Sequence, residues 1–285
     1  TTIRLADGTY DLGCGDSGCR LVFATAGVTL RSASGNRDAV VLDGEYATNE
    51  LVSIYASNVT IADLTLMRAY DHPIHASGGV GDPISGTLIH NVRIVDPGQQ
   101  GIKVNPNVDG YVDHSTIQCC AIELADGGRT HIRDSWYTGG IDAHQAQGWL
   151  VRRNFISGFW CDDGLSEHGI HFWKGCRDTV VEENLILDCA RGIGFGLGAT
   201  GTARVYPDDP YPGVPGLKGH IDGVIRNNFV AASASGLFAS PDGFDSGISL
   251  EQAYGAQVVH NSVASTQAPR SSSIEWRFAN SVIGL

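Results

Sequence analysis

One short unit recurs along the whole chain. It consists of apolar residues, a small polar residue, further apolar residues, a turn, and then Gly-Ile or a close relative. The unit reads LIHNVRIVDPGQQGIKV from residue 88, YVDHSTIQCCAIEL from 111 and HIRDSWYTGGIDAH from 131. It continues as LVRRNFISGFW with HGIHFW, VVEENLILDCARGIGF, GVIRNNFVAASASGLF, and QVVHNSVAS with SSIEW. Its polar positions are Asn91, Ser115, Asp134, Asn154, Asn184, Asn228 and Asn261. Its Gly-Ile positions carry Ile74, Ile102, Ile122, Ile141, Ile170, Ile193, Leu237 and Ile274. Period-2 alternation in Val- and Ile-rich segments, without a helical period, indicates strands. Strands that repeat the same turn residue in register indicate a parallel β-helix, an all-β solenoid, rather than a sandwich or barrel. No rung buries its own inner face, so neighbours must stack on both sides. Recurrent Asn at one turn is expected to stack into a ladder of amide hydrogen bonds. The whole of 1–285 reads as one such domain, interrupted by a loop insertion at about 197–220.

Composition sets limits on partners. The formal net charge is −12 and only 18% of residues are charged, a poor match for nucleic acid. An anionic polymer remains possible at a local basic patch or through a bound cation. No apolar run approaches the roughly 20 residues that span a bilayer. The opening TTIRLADGTYDLG is already strand-like, as expected of an exported protein whose leader has been removed. Of seven Cys, Cys14 and Cys19 share the loop CGDSGC and are expected to pair. Cys161 and Cys176 flank an insertion and are a second candidate bridge; Cys119, Cys120 and Cys189 read as buried thiols. A secreted or periplasmic location is expected, for a monomer that meets neither nucleic acid nor membrane.

Alternation also places side chains. If the Ile of each Gly-Ile points inward, the next residue points outward. That column reads His75, Lys103, Glu123, Asp142, His171, Gly194, and two residues further on Ser77, Asn105, Ala125, His144, Trp173, Gly196. Rungs about 4.8 Å apart would make Asp142 and His171 neighbours, with Glu123 beneath Asp142. His168 precedes the Gly of its unit and reads as a turn residue that is also a candidate for contact with substrate. Gly194 and Gly196 leave room for a ligand or mark close packing. Arg191 stands where it can reach an anion. The excursion at 197–220 brings Tyr206 and Tyr211 towards this face. Trp136, Tyr137, Trp149, Trp160 and Trp173 offer flat surfaces for sugars or simply pack, with Trp173 the one placed outward.

Three chemistries fit this face, besides a non-catalytic glycan-binding or adhesin role. Proton abstraction beside a uronate carboxylate needs a neutral base and a cation for the developing enolate-like charge. His144 would be the base, with Asp142 and His171 orienting it or supplying the partner acid. Lys174, Arg191 and Lys103 would hold the carboxylate, and Glu123 would contact substrate or a cation. Glycoside hydrolysis would use paired carboxylates among Glu123, Asp142, Asp162 and Asp163. A metal site would draw on Asp142, His144, His168 and His171 for a transition metal, or on Glu123 and Asp142 for calcium. The first chemistry requires no cofactor.

The repeats, and the opening TIRLADGTYDL with GVTLRSASG and VVLDG, resemble the right-handed parallel β-helix proteins of the pectate lyase superfamily. That superfamily holds polysaccharide lyases, glycoside hydrolases, sugar epimerases and adhesins. GIDAHQAQGWLVRRN with EHGIHFWK further resembles the catalytic rungs of bacterial alginate (mannuronan) C5-epimerases. The resemblance implies that His144 handles the proton, that Asp142 is its partner, and that Lys174 takes the place of an Arg that pairs with the substrate carboxylate. Ala143 and Gln145 depart from the Asp-Pro-His-Asp motif, and Lys174 lacks the bidentate fork of Arg. The expectation is a secreted carbohydrate-active enzyme acting on an acidic (uronate) polysaccharide, as a lyase or a C5-epimerase.

Overall fold

The computed structural model describes all residues except 134–136, 163–167, 199–201, 278–281 and 285, and the backbone alone of 282–284. Among the described residues the chain coils through three parallel sheets in turn. A representative turn runs Leu150–Arg152, Phe155–Ser157 and His168–Trp173, then begins again at Val180–Glu182. Each strand pairs in parallel with its equivalents one turn before and one turn after, giving sheets of 12, 9 and 9 strands. Sheet one includes Leu88–His90, Thr116–Gln118 and Leu150–Arg152; sheet two includes Arg93–Val95, Ala121–Glu123 and Phe155–Ser157. Sheet three includes His72–Ala76, Gln100–Val104, Gly139–His144, His168–Trp173, Arg191–Phe195 and Ser246–Glu251.

The core is three stacks of branched aliphatic side chains, one per sheet. In sheet three Val52, Ile74, Ile102, Ile141, Ile170, Ile193 and Ile248 lie in register and are fully buried. Two of the expected Gly-Ile positions fall elsewhere. Ile122 belongs to sheet two, between Ile94 and Ile156. Leu237 lies in the short helix Ser235–Ala239, and Ile248 takes its place in the stack.

The glycine before Ile141, as before several other sheet-three Ile residues, has a steric cause. A Cβ on Gly140 would stand 2.4 Å from the Gly169 carbonyl oxygen and 2.7 Å from Ile156 Cγ2. At this corner the second sheet's aliphatic stack fills the space a side chain needs. Gly140→Ala should therefore cost about 1–3 kcal/mol by overpacking, read as a lower denaturant midpoint at unchanged m-value. Wild-type stability in that variant would show that the corner is looser than this contact implies.

The amide ladder forms in the later turns. Asn154, Asn184 and Asn228 each donate from Nδ2 to the Oδ1 of the next Asn, ending at Asn261, at 2.9 Å in every case. Each Oδ1 also accepts a main-chain N–H, so a buried polar column is satisfied by its own repetition. The residue before each ladder Asn is left-handed: Arg153, Glu183, Asn227 and His260 have φ of 54–56°. Asn91 sits at that left-handed position, bonded to Asp63, so it is not a rung of the ladder. Ser115 instead caps Thr87 N at another corner, and Asp134 lies outside the described residues.

Cys14 and Cys19 form the expected disulfide. Cys161 and Cys176 do not pair; the buried Cys176 thiol donates to the Ala143 and Trp173 carbonyls.

Candidate active site

Three consecutive turns of sheet three build the site. Ile141 and Ala143 face the core, so Asp142 and His144 face out. Register places Lys103 and His171 on either side of Asp142, and Trp173 beside His144. Lys103, rather than Glu123, is therefore the residue beneath Asp142. Glu123 points from sheet two into an ion pair with Arg93 at 2.9 Å, so it cannot pair with Asp142 as a hydrolytic carboxylate.

Asp142 is the hub. It forms a buried ion pair with Lys103, both residues being 1% exposed. Trp173 Nε1 donates to Asp142 Oδ1 at 2.6 Å, and His144 Nε2 lies 3.2 Å from Oδ2. Lys103 Nζ also donates to the Tyr137 hydroxyl at 2.6 Å and lies 3.3 Å from His144 Nε2. Its ammonium thus donates to both Asp142 and Tyr137, with the His144 ring alongside. The imidazole of His144 packs edge-on against Trp173, with centroids 4.4 Å apart. Among the described residues its Nδ1 has no hydrogen-bond partner, and it is not enclosed.

The charges follow from this packing. Burial works against ionising Asp142, but Lys103, then His144 and His171, overcome it and hold the carboxyl well below its usual range. Burial likewise opposes a charge on Lys103, and Asp142 with Tyr137 more than restores it. Burial dominates at His144, keeping its pKa below the usual imidazole value against the pull of Asp142. The result at neutral pH is a fixed ammonium–carboxylate pair carrying a neutral, partly exposed imidazole.

The other expected site residues are distributed as follows. His171 is fully buried and donates from Nε2 to the Gly196 carbonyl at 2.9 Å, with Nδ1 3.7 Å from Asp142 Oδ1; it supports Asp142 from behind. His168 opens the strand His168–Trp173 and is not in a turn; it is buried against His171 and bonds Ser249 Oγ at 2.9 Å. Its ring fills the space over Gly194, where a Cβ would stand 2.5 Å from His168 Nε2. Gly194 therefore makes room for histidine, and Gly196 for the Glu251 carbonyl. Arg191 is committed to Asp245 at 2.8 Å, which corrects its expected reach towards an anion. Tyr206 is buried, donating to the Gly175 carbonyl, and Tyr211 donates to Asp222, so both hold the 197–220 excursion rather than face the site. Trp149 is core, with Nε1 on the Val112 carbonyl. Asp163 and Trp136 lie outside the described residues.

Lys174 stays with the site. It ends the strand in a left-handed conformation, Nζ 4.6 Å from the Trp173 ring centre, and has no carboxylate partner among the described residues. Alongside it the 197–220 excursion is pinned across the strand ends, Arg204 donating to Asp113 at 2.7 Å and to the Gln145 carbonyl. Among the described residues no three His, Cys, Asp or Glu side chains converge as a metal-binding group.

By sequence Tyr137 reads only as an aromatic surface, yet it completes the site. It precedes the strand Gly139–His144, so alternation does not reach it. The available signal was the outward Lys103, which once buried requires more than one acceptor.

No family model and no curated protein matches the sequence. In three dimensions it is similar to the alginate lyase from Paenibacillus sp., at 13% identity and TM-score 0.55, over 99% of this chain and 92% of that one. It is similar also to a pectate lyase, at 11% identity and TM-score 0.53, over 93% and 68% of the two chains. This is a parallel β-helix. The A-module of a mannuronan C-5 epimerase from Azotobacter vinelandii superposes on the β-helix more loosely, at 13% identity and TM-score 0.40 over 100% of this chain and 91% of that one.

Proposed function

We propose that this β-helix is an exported enzyme that removes the C5 proton of a uronate within an acidic polysaccharide. The observation that carries the reading is the neutral, partly exposed His144 tethered to an ionised Asp142–Lys103 pair. A weakly acidic carbon acid needs a base that is unprotonated at the working pH and fixed in place. With its proton on Nε2 and directed at Asp142, His144 presents the Nδ1 lone pair to substrate.

In this mechanism the uronate carboxylate lies against Lys174, whose ammonium balances the charge that moves onto the carboxylate as the C5–H bond breaks. His144 Nδ1 takes that proton. The Tyr137 hydroxyl, which accepts from Lys103, is assigned the proton that returns to the substrate. Delivered to the glycosidic oxygen at C4, as the C4–O bond breaks, that proton completes an elimination that leaves a C4–C5 double bond. Delivered to the opposite face of C5, it inverts the sugar. The Cys14–Cys19 disulfide supports the export component of the reading. Similarity of fold to an alginate lyase and a pectate lyase supports the substrate class by analogy only.

The test is incubation with alginate, polygalacturonate and glycosaminoglycans in D2O, followed by NMR. Deuterium at C5 in an intact chain marks epimerisation, and new unsaturated ends mark a lyase. New reducing ends without unsaturation, or no change in any polymer, would overturn proton abstraction.

A further inference from the structure

Arg133 is a cation that nothing in the site accounts for. Arg133 is exposed and belongs to the same excursion that brings Tyr137 onto Lys103. Its guanidinium carbon lies over the Tyr70 ring, 3.6 Å from the ring centre, and Nη2 donates to the Tyr46 carbonyl at 3.4 Å. Its main-chain N–H is fixed on the Gly98 carbonyl at 2.9 Å. Tyr46 in turn stacks on His131, with centroids 3.9 Å apart and planes within 4°. Among the described residues Nε and Nη1 have no hydrogen-bond partner and no carboxylate pairs with Arg133. Neighbouring arginines differ: Arg68 is paired with Asp43, Arg93 with Glu123 and Arg129 with Asp126. A preordered guanidinium with one open N–H edge suits a planar carboxylate.

We propose that Arg133, seated on Tyr70, is a second carboxylate-binding position that receives another uronate of the same polymer chain. This rests on the proposed reading that the substrate is a polyuronate. The direction is set by charge. On the C-terminal side of the site the third-sheet face carries Asp245, Glu251 and Glu275 around Arg191 and Arg277, three carboxylates to two guanidiniums. An anionic chain leaving His144 that way meets net repulsion. Tyr70 precedes the strand His72–Ala76, two turns towards the N-terminus from Gly139–His144, and Arg133 marks that route. Asp96 lies on the same corner but is spent on the Ala125 N–H at 2.7 Å.

The test is calorimetric binding of sodium alginate and sodium polygalacturonate at low salt, in a His144→Ala background that prevents turnover. Arg133→Gln should weaken binding of the preferred polymer roughly tenfold, the scale of one charged hydrogen-bonded contact. Arg133→Lys should restore part of the loss, and Tyr70→Ala should reproduce it. The carboxyl-reduced, neutral polymer should bind Arg133→Gln and its parent alike. Unchanged polyuronate binding in Arg133→Gln, or a lowered melting temperature with unchanged binding, would make Arg133 a staple of the excursion and overturn the proposal. Arg133-dependent binding without any C5 exchange in the active protein would instead sink the reaction and leave this position standing. Absence of polyuronate binding altogether would remove both.

Discussion

His144→Ala is expected to lower C5 exchange or elimination about 10²–10⁴-fold, the contribution of a positioned general base, while thermal stability stays close to wild type. His144 faces away from the aliphatic core, and among the described residues its ring meets Trp173, Lys103 and Asp142. Its loss leaves the aliphatic stacks around Ile141 and Ala143 intact, so an unfolded or strongly destabilised variant would show that the ring is a packing element. The pH profile gives a second reading of the same group. Burial holds the His144 pKa below the usual imidazole value, near 6.5 in model peptides. The base is therefore ready across neutral pH, and the acid limb of kcat/KM should fall below about 6.5. Asp142→Asn should move that limb as well as lower the rate, because Asp142 is the partner that opposes the effect of burial on His144. A profile whose acid limb is unchanged by Asp142→Asn would mean that a different group titrates.

How much of this was legible in the sequence depends on how well period 2 holds. Where a strand is regular and follows its Gly-Ile directly, as at Ile141, Ile170 and Ile193, alternation alone orders Asp142, His144, His171 and Trp173 correctly. It fails where one turn contains two look-alike segments. AIE at 121–123 has the same apolar-polar rhythm as a third-sheet strand, but it sits in sheet two. The real third-sheet strand of that turn comes only after the long excursion that ends at Tyr137. The same error puts Leu237 in a stack that Ile248 fills. Ladder residues were legible at Asn154, Asn184 and Asn228 because Asn is needed there for every bond it makes. Asn91 resembled them one position early, since a left-handed corner also favours Asn. What remained hidden was partner choice. Arg191 and Lys174 look equally free on paper, and only the fold assigns Asp245 to Arg191 and leaves Lys174 beside Trp173.

Lys103→Met is expected to remove activity and to cost about 3–5 kcal/mol of stability, because it leaves Asp142 as a buried carboxylate without its ammonium. The sign of the pH dependence separates this from loss of packing. In the wild type the Asp142 pKa is depressed in the folded state. Its contribution is present above the unfolded value, near 3.9, and is lost as pH falls through the folded value. Lys103 is raised in the folded state, so its contribution is complete below about 10.4 and is lost as pH rises through the folded value. The pair is therefore fully effective across neutral pH. Without Lys103, burial becomes the leading influence on Asp142 and raises its pKa, so Lys103→Met should lose stability as pH rises above about 4. Denaturant titrations at pH 4 and pH 7 would show opposite slopes for the two proteins. The double variant Lys103→Met/Asp142→Leu removes both charges and should recover most of the loss, since an apolar pair of similar volume often matches a buried ion pair. The Trp173 indole N–H, left without Asp142, sets the residual cost at about 1–3 kcal/mol. Activity should not return with stability, because Tyr137 and His144 lose the groups that hold them. Additive losses in the double variant would instead mean that the two charges do not act as a unit, and would remove the ion pair from the account of how His144 is kept neutral and in place.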